Sequence, residues 1–384
     1  MKNRRCRVVA FLLLLALAFG PVVVCARAAE SKPAPPPSNA VPTAGTALAQ
    51  SVSTVTGVAI SPLLGISAVG AWQWWQADTE EKKARLPWFA QPWFFLGGMA
   101  LVGAVALKDV LGAATPPGLK KPLDVAETLE NKVSGLAAAG ALLPMLMGIF
   151  AAVQRPDGAS AFADYGFAAI DGSTVVSVLL LPFALIAYAA VWLSAHVINV
   201  LILLSPWGGI DAALKAARTF LLTTVAAAAW ANPWVGALIA LAVILFAWLV
   251  SGWAFRMMVF GWVFCWDTIT FRKKRFKPGA KENWAFAARK IGKTPVRSYG
   301  RLIKEDSGKL VFAYKPFHVM AERRIDVPPG TYAVGNAILY PSLEQVHGEE
   351  TKTMFNFPPR CNSHEAELGK IYNCEVRDVG LIKG

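Results

Sequence analysis

Charge is what this sequence has little of. Only 16% of its 384 residues are charged and 55% are hydrophobic, whereas a soluble chain carries roughly 25% charged residues. That balance excludes an ordinary soluble domain over most of the length and predicts a membrane protein. Histidine (4) and cysteine (5) are also sparse. Cys6 and Cys25 fall in or beside the N-terminal leader, and Cys265 closes a hydrophobic segment. Only Cys361 and Cys374 share a soluble region, which is no disulfide framework. His364 lies near Cys361, yet no second pair completes a metal site. The chain also lacks a Walker loop, a dinucleotide fingerprint and a nucleophile–base pairing. These absences predict neither enzyme, nor metal, nor cofactor.

The net charge of +13 does not point to nucleic acid, because the basic residues are not interleaved with aromatics on a soluble surface. Five of them, Arg272, Lys273, Lys274, Arg275 and Lys277, directly follow a hydrophobic segment. The positive-inside rule and attraction to anionic headgroups account for that placement. Membrane lipid is therefore one expected partner, and a protein bound to the C-terminal region the other.

The first 28 residues read as a secretory signal: Lys2, Arg4, Arg5 and Arg7, then apolar Val8 to Leu17, then Ala26-Arg27-Ala28. Val22 to Cys25 resembles a lipoprotein box only faintly, since Val24 is too bulky. The Pro/Ala-rich residues 29–50 predict a disordered stretch. Residues 51–270 predict a helical membrane domain, because a span needs about 20 apolar residues. Segments run Ser51–Trp75, broken at Pro62, then Trp88–Leu107, Leu136–Val153, Val175–Leu204, Ala213–Ala231 and Trp234–Phe264. Tryptophans cluster near segment ends, as an interfacial belt requires. Placing Lys120, Lys121, Lys215, Arg218 and the basic cluster inside leaves the Asp157/Asp164/Asp171 loop outside. That topology has five crossings if Ser51–Trp75 enters and returns, and a cytoplasmic tail; six full crossings put the tail outside.

The membrane part carries a near-repeat. Ser61-Pro62 returns as Ser205-Pro206 after 144 residues (206 − 62), and Gln91-Pro92-Trp93 as Asn232-Pro233-Trp234 after 141 (233 − 92). Units of about 51–153 and 175–270 would be duplicated halves with broken helices, a design that transporters use to expose backbone to a substrate. Ordinary Pro and Trp usage at helix boundaries reads the same residues without duplication. From Ile60 to Phe150 the chain resembles an uncharacterised family of bacterial multi-pass inner-membrane proteins. The likeness rests on Ser61-Pro62-Leu63-Leu64, Lys108-Asp109 and Leu123-Asp124 running into Gly/Ala-rich Ser134 to Ala141. It implies a fold and a bacterial inner-membrane setting, and no catalytic residue.

After a basic linker at 271–283, residues 284–384 alternate or are β-rich, as strands are, at Thr294–Ile303, Leu310–Tyr314, Arg323–Val327, Tyr332–Leu339 and Thr351–Phe357. Ser363–Tyr372 reads as a helix capped by Ser363. The pattern resembles a small barrel of the pleckstrin-homology type with a closing helix. The fold class is thus mainly α, a polytopic bundle plus a small β-rich domain.

His196 and Asn199 lie on one face of the long Val175–Leu204 segment. Intramembrane polar residues face a bundle interior, where they either line a proton or substrate path or bond neighbouring helices. Ser61 and Ser205 mark the breaks. Asp124 and Asp267, 143 residues apart (267 − 124), are further path candidates. The expected role is transport or lipid handling along a central path. The alternative is a membrane anchor presenting the tail to a partner. Cys361 and Cys374 would be free thiols in a cytoplasmic tail and could pair in a periplasmic one.

Overall fold

The computed structural model describes residues 44–111, 117–151, 172–204, 208–337, 340–348 and 350–378. The signal and residues 29–43 lie outside that set, as do Ser205, Pro206 and the aspartate loop. The helical part comprises α1 (Ala44–Ile60), α2 (Pro62–Gln76), α3 (Glu80–Ala84), α4 (Pro92–Leu111), α5 (Pro117–Ala151), α6 (Gly172–Leu204), α7 (Gly208–Ala231) and α8 (Pro233–Ile269). Residues 44–50, expected to be disordered, instead form the start of α1, where Ala47, Ala49 and Ser51 are buried. Small residues there let α1 lie close to its neighbours, which outweighs the disorder-prone composition.

Four helices are long and apolar enough to cross a membrane, within Glu130–Phe150, Thr174–Ile202, Gly209–Ala231 and Pro233–Ile269. The chain thereby has the build of a membrane protein. The expected crossing at Trp88–Leu107 contributes a shorter apolar helical run, Pro92–Val105. The stretch that carries Lys120 and Lys121 is continuous with the next span in the 35-residue α5.

The Pro62 break folds the chain back on itself. Proline disfavours helical geometry at the preceding residue, and Ser61 indeed sits at φ −138°, ψ 88°. Pro62, with no N–H to satisfy, starts α2. A Cβ at Gly65 would come 2.6 Å from the Val58 Cα, so only glycine allows this close a fold. Arg218 on α7 donates from Nε to the Ile60 carbonyl (3.1 Å), and Leu222 lies against Gly57, so α1 and α7 are antiparallel. Trp72 of α2 meets Trp230 of α7 edge to face, centroids 6.2 Å apart. Hence α2 runs back alongside α7. At 17 and 15 residues, these helices rise about 25 and 22 Å, short of the ~30 Å hydrocarbon core. They form a hairpin with Ser61 at its tip. Exposed Trp72, Trp75, Trp88, Trp93, Trp230 and Trp234 gather at the hairpin's open end, as an interfacial belt would.

Duplication finds no structural argument. Pro206 lies outside the described residues, and the flanking helices differ in length: α1 has 17 residues against 33 in α6, and α2 has 15 against 24 in α7.

The C-terminal part holds β1 (Glu282–Ala287), β2 (Tyr299–Lys304), β3 (Leu310–Tyr314), β4 (Arg323–Asp326), β5 (Thr331–Asn336), β6 (Ser342–His347), β7 (Glu350–Asn356), α9 (Glu365–Tyr372) and β8 (Glu375–Asp378). They form one eight-stranded sheet in the order β4-β3-β2-β1-β7-β6-β5-β8. All described pairings are antiparallel except β5 with β8. The sheet is not closed: β4 and β8 are its edges, and the middle is joined by a short β1–β7 pairing at Phe286↔Asn356 and Ala287↔Phe355. Leu302, Phe312, Phe355, Phe357 and, from α9, Leu368 and Tyr372 form its core. Ser363 is not the cap of α9; it lies at φ +69°, and His364 holds the N-cap position. The first strand begins at Glu282, inside the expected linker.

Candidate functional site

Two buried polar constellations lie at the sheet-bearing end of the bundle. In the first, Glu127, Glu130, Asn131 and Ser134 are spaced i, i+3, i+4, i+7 on α5 and therefore share one helix face. His196 and Asn199 on α6 oppose them, and Lys215 and Arg218 on α7 close the group. The helices are locked in register by Tyr188, whose hydroxyl donates to the Gly135 carbonyl (2.8 Å), and by His196 Nδ1, 3.0 Å from Asn131 Oδ1. His196 also stacks on Trp192 (centroids 5.5 Å). Arg218 donates from Nη1 to Asn199 Oδ1 (3.0 Å), and Lys215 pairs with Glu127 at 3.6 Å.

His196 and Asn199 are 0% and 4% exposed, so both point into the bundle. Each keeps a buried nitrogen, His196 Nε2 and Asn199 Nδ2, without a hydrogen-bond partner among the described residues. An unmet buried donor or acceptor costs about 1–3 kcal/mol, so these atoms stand ready for a ligand, a water or a proton. A cavity of about 190 Å³ adjoins Asn199, lined by Ser61 and Pro62 of the hairpin tip, by Glu127 and Glu130, and by Asn199 and Arg218. His196 reaches it only through Asn131. Ser61 thus joins the site, Ser205 lies outside the described residues, and Asp124 falls in α5 with its side chain outside them.

Asp267 belongs elsewhere. It is 3% exposed near the end of α8, and its carboxylate accepts from the Arg360 backbone N–H (3.3 Å) and Nη1 (3.5 Å). Arg272 adds an ion pair at 3.8 Å, while Arg360 Nη2 donates to the Tyr299 hydroxyl (2.6 Å). This second constellation fastens the sheet to the last helix. Asp267, expected as a path residue, thus sits in a joint between α8 and the tail.

Of the basic cluster, Lys273, Lys274, Arg275 and Lys277 are exposed, and exposed Arg272 also reaches Asp267. That leaves a cationic surface available to a headgroup. Cys361 and Cys374 are both thiols here, and burial pushes the Cys361 thiol up to about 12. Among the described residues no group of three or more His, Cys, Asp or Glu could hold a metal.

Sequence reasoning found His196, Asn199 and Ser61 and missed Glu127, Glu130 and Asn131. Their signal was the one-face spacing that continues from the charged segment into the apolar span. Lys215 and Arg218 were read only as topology markers, although their three-residue spacing likewise directs both to one face. No protein-family model matches the chain, and neither a curated protein nor a solved structure matches it. The fold and site define a class, a helical membrane bundle with an internal helical hairpin and an open β-sheet tail.

Proposed function

We propose that the chain is a bacterial inner-membrane protein that moves or handles a small polar or charged solute past the tip of the α1–α2 hairpin. The observation that carries this reading is the cavity at Ser61, where carboxylates, a guanidinium and an amide from three other helices converge. Charged groups inside a membrane domain are costly and mark substrate or ion pathways. In a low-dielectric setting their attraction for a charged ligand is several times that in water. The hairpin would be re-entrant, giving five crossings and a cytoplasmic tail held near anionic lipid by Arg272 to Lys277. The resemblance to uncharacterised bacterial membrane proteins is part of the same reading.

The test is a thermal-shift screen of the purified protein against small zwitterions, carboxylates, amines and phosphates. Transport predicts at least one stabilising solute whose shift is lost in Arg218→Gln and Glu130→Gln. No stabilising solute, or shifts that both variants retain, would defeat the proposal. The second reading, an anchor for the sheet, is favoured by the Asp267–Arg360 joint, which holds the tail rigidly to α8.

A further inference from the structure

A second cavity, of about 230 Å³, lies where α8 meets the sheet, and its charge is of one sign. Arg256 of α8, Lys293 and Arg297 of the β1–β2 connection, Lys315 after β3, and Arg323 of β4 line it, with no carboxylate among the lining residues. None of these five forms an ion pair among the described residues, whereas neighbouring Arg301 and Arg324 both pair with Glu322. Arg297 is the most telling. Its guanidinium lies over the Phe260 ring at 4.5 Å, and its buried Nη1 has no acceptor. A buried guanidinium N–H left unmet costs free energy, and guanidinium favours a planar oxyanion above other partners.

The backbone around this cavity is strained in a consistent way. Arg297, Phe317 and His318 adopt φ of +64°, +50° and +61°, the left-handed region that non-glycine residues occupy at a cost of about 1–3 kcal/mol. All three line the cavity. Arg297 lies with its guanidinium over Phe260, and in the 315–320 loop Phe317, Val319 and Met320 are exposed, at 45%, 86% and 50%. A basic pocket beside a protruding apolar loop has the amphipathic chemistry of a membrane interface.

The opposite wall is Gly252, Phe255 and Val259 of the membrane-crossing helix. A larger, mainly apolar groove of about 580 Å³ continues from it, sharing Phe255 and Val259 and lined further by Met258, Trp262 and Leu136, with Lys132, Arg272 and the paired Asp267 and Arg360 also on its wall. We infer that this joint binds the anionic headgroup of a phospholipid, with the phosphate on Arg256, Arg297 and the flanking lysines and the acyl chains in the adjoining groove. Inorganic phosphate would use the cations alone; a phospholipid uses both halves. The cavity is separate from Lys273, Lys274, Arg275 and Lys277, although Arg272 lines the adjoining groove, and it does not rest on the solute cavity at Ser61.

The test uses the full chain in neutral detergent, titrated with phosphatidylglycerol, with phosphatidylcholine of the same chains, and with inorganic phosphate. Lipid retention is read by native mass spectrometry and by thermal unfolding. Phosphatidylglycerol is expected to be retained and to raise the unfolding midpoint, with phosphatidylcholine and phosphate doing neither. Each basic residue near an anionic headgroup contributes about fivefold, so Lys293→Gln/Arg323→Gln together should weaken retention roughly 25-fold. Both side chains are exposed and should be replaceable without unfolding. Lys315→Gln, also exposed, gives a second variant expected to lose about fivefold. Lys273→Gln/Lys274→Gln should leave retention unchanged. Equal retention of the two lipids, an effect of phosphate equal to that of phosphatidylglycerol, or insensitivity to the Lys293, Arg323 and Lys315 variants would each overturn the assignment.

Discussion

The two buried constellations are built from the same chemistry and arrive at opposite states. At the α8 joint, Asp267 accepts three contacts from Arg360 and Arg272, and Arg360 in turn reaches Tyr299. The polar layer at the hairpin tip also pairs acid with base, but two of its nitrogens lack partners among the described residues, and a cavity lies against one of the two residues, Asn199. Buried charges are tolerated when they are paired and hydrogen-bonded. The joint meets that condition and reads as a fastening. The layer meets it incompletely, and the proposed solute site rests on that difference.

The largest expected effect lies at the joint. Asp267→Ala strips the carboxylate from an Arg360 that is itself 5% exposed, and removing one partner of a buried pair costs about 3–5 kcal/mol. Limited proteolysis between residues 270 and 282 should then release the sheet much faster than in the wild type. An Asp267→Leu/Arg360→Met double variant should recover most of the resistance. Unchanged proteolysis in Asp267→Ala would erase the distinction between fastening and site.

The next effect concerns the layer's geometry. In Gly65→Val the new Cβ would overlap the Val58 backbone, an overpacking that costs about 1–3 kcal/mol. The hairpin should open at Ser61 and displace Ile60 from Arg218. A cysteine pair placed at Gly57 and Leu222 should cross-link readily in the native background and poorly with Gly65→Val. Equal cross-linking in both would mean that the close approach does not set the hairpin.

The smallest effect sharpens the contrast from the sealed side. Cys361 sits next to Arg360, and burial, opposed weakly by that guanidinium, raises its thiol from the usual 9 to about 12. The unfolded chain therefore loses this proton near pH 9 while the folded one keeps it. Stability from this group is fully present below pH 9 and declines as pH rises from there toward 12. Alkylation of the native protein should label half-buried Cys374 and spare Cys361 until the sheet unfolds. Rapid native labelling of Cys361 would show the joint to be open.

Much of the membrane part was legible because hydrophobic run length and proline placement act locally. The presence of long apolar helices, the inward face of His196 and Asn199, and the return of the chain at Pro62 follow from helix rise, the cost of exposing polar groups to lipid, and the geometry that proline imposes. Strands β3, β4 and β7 were legible from alternation or from β-rich composition, β3 being buried throughout. Strands β1, β6 and β8 were not: Ser342–His347 buries Ser342, Glu344 and Gln345, so its polar residues point inward and no alternation marks it. The expected barrel failed for a related reason, since closure depends on how distant strands pair and not on any one strand's pattern.

The sequence by itself determined that this chain belongs in a membrane, where it breaks, and that a β-rich tail follows a basic stretch. Composition, run length and proline are properties of short segments, and the physics they invoke acts over a few residues. Tertiary structure alone decided that Asp267 fastens the tail, and that Glu127, Glu130 and Arg218 meet Ser61 around a cavity. Those assignments depend on which helix faces which. That choice is made by contacts such as the one from the Arg218 side chain to the Ile60 carbonyl, 158 residues apart in the chain, which no local pattern encodes.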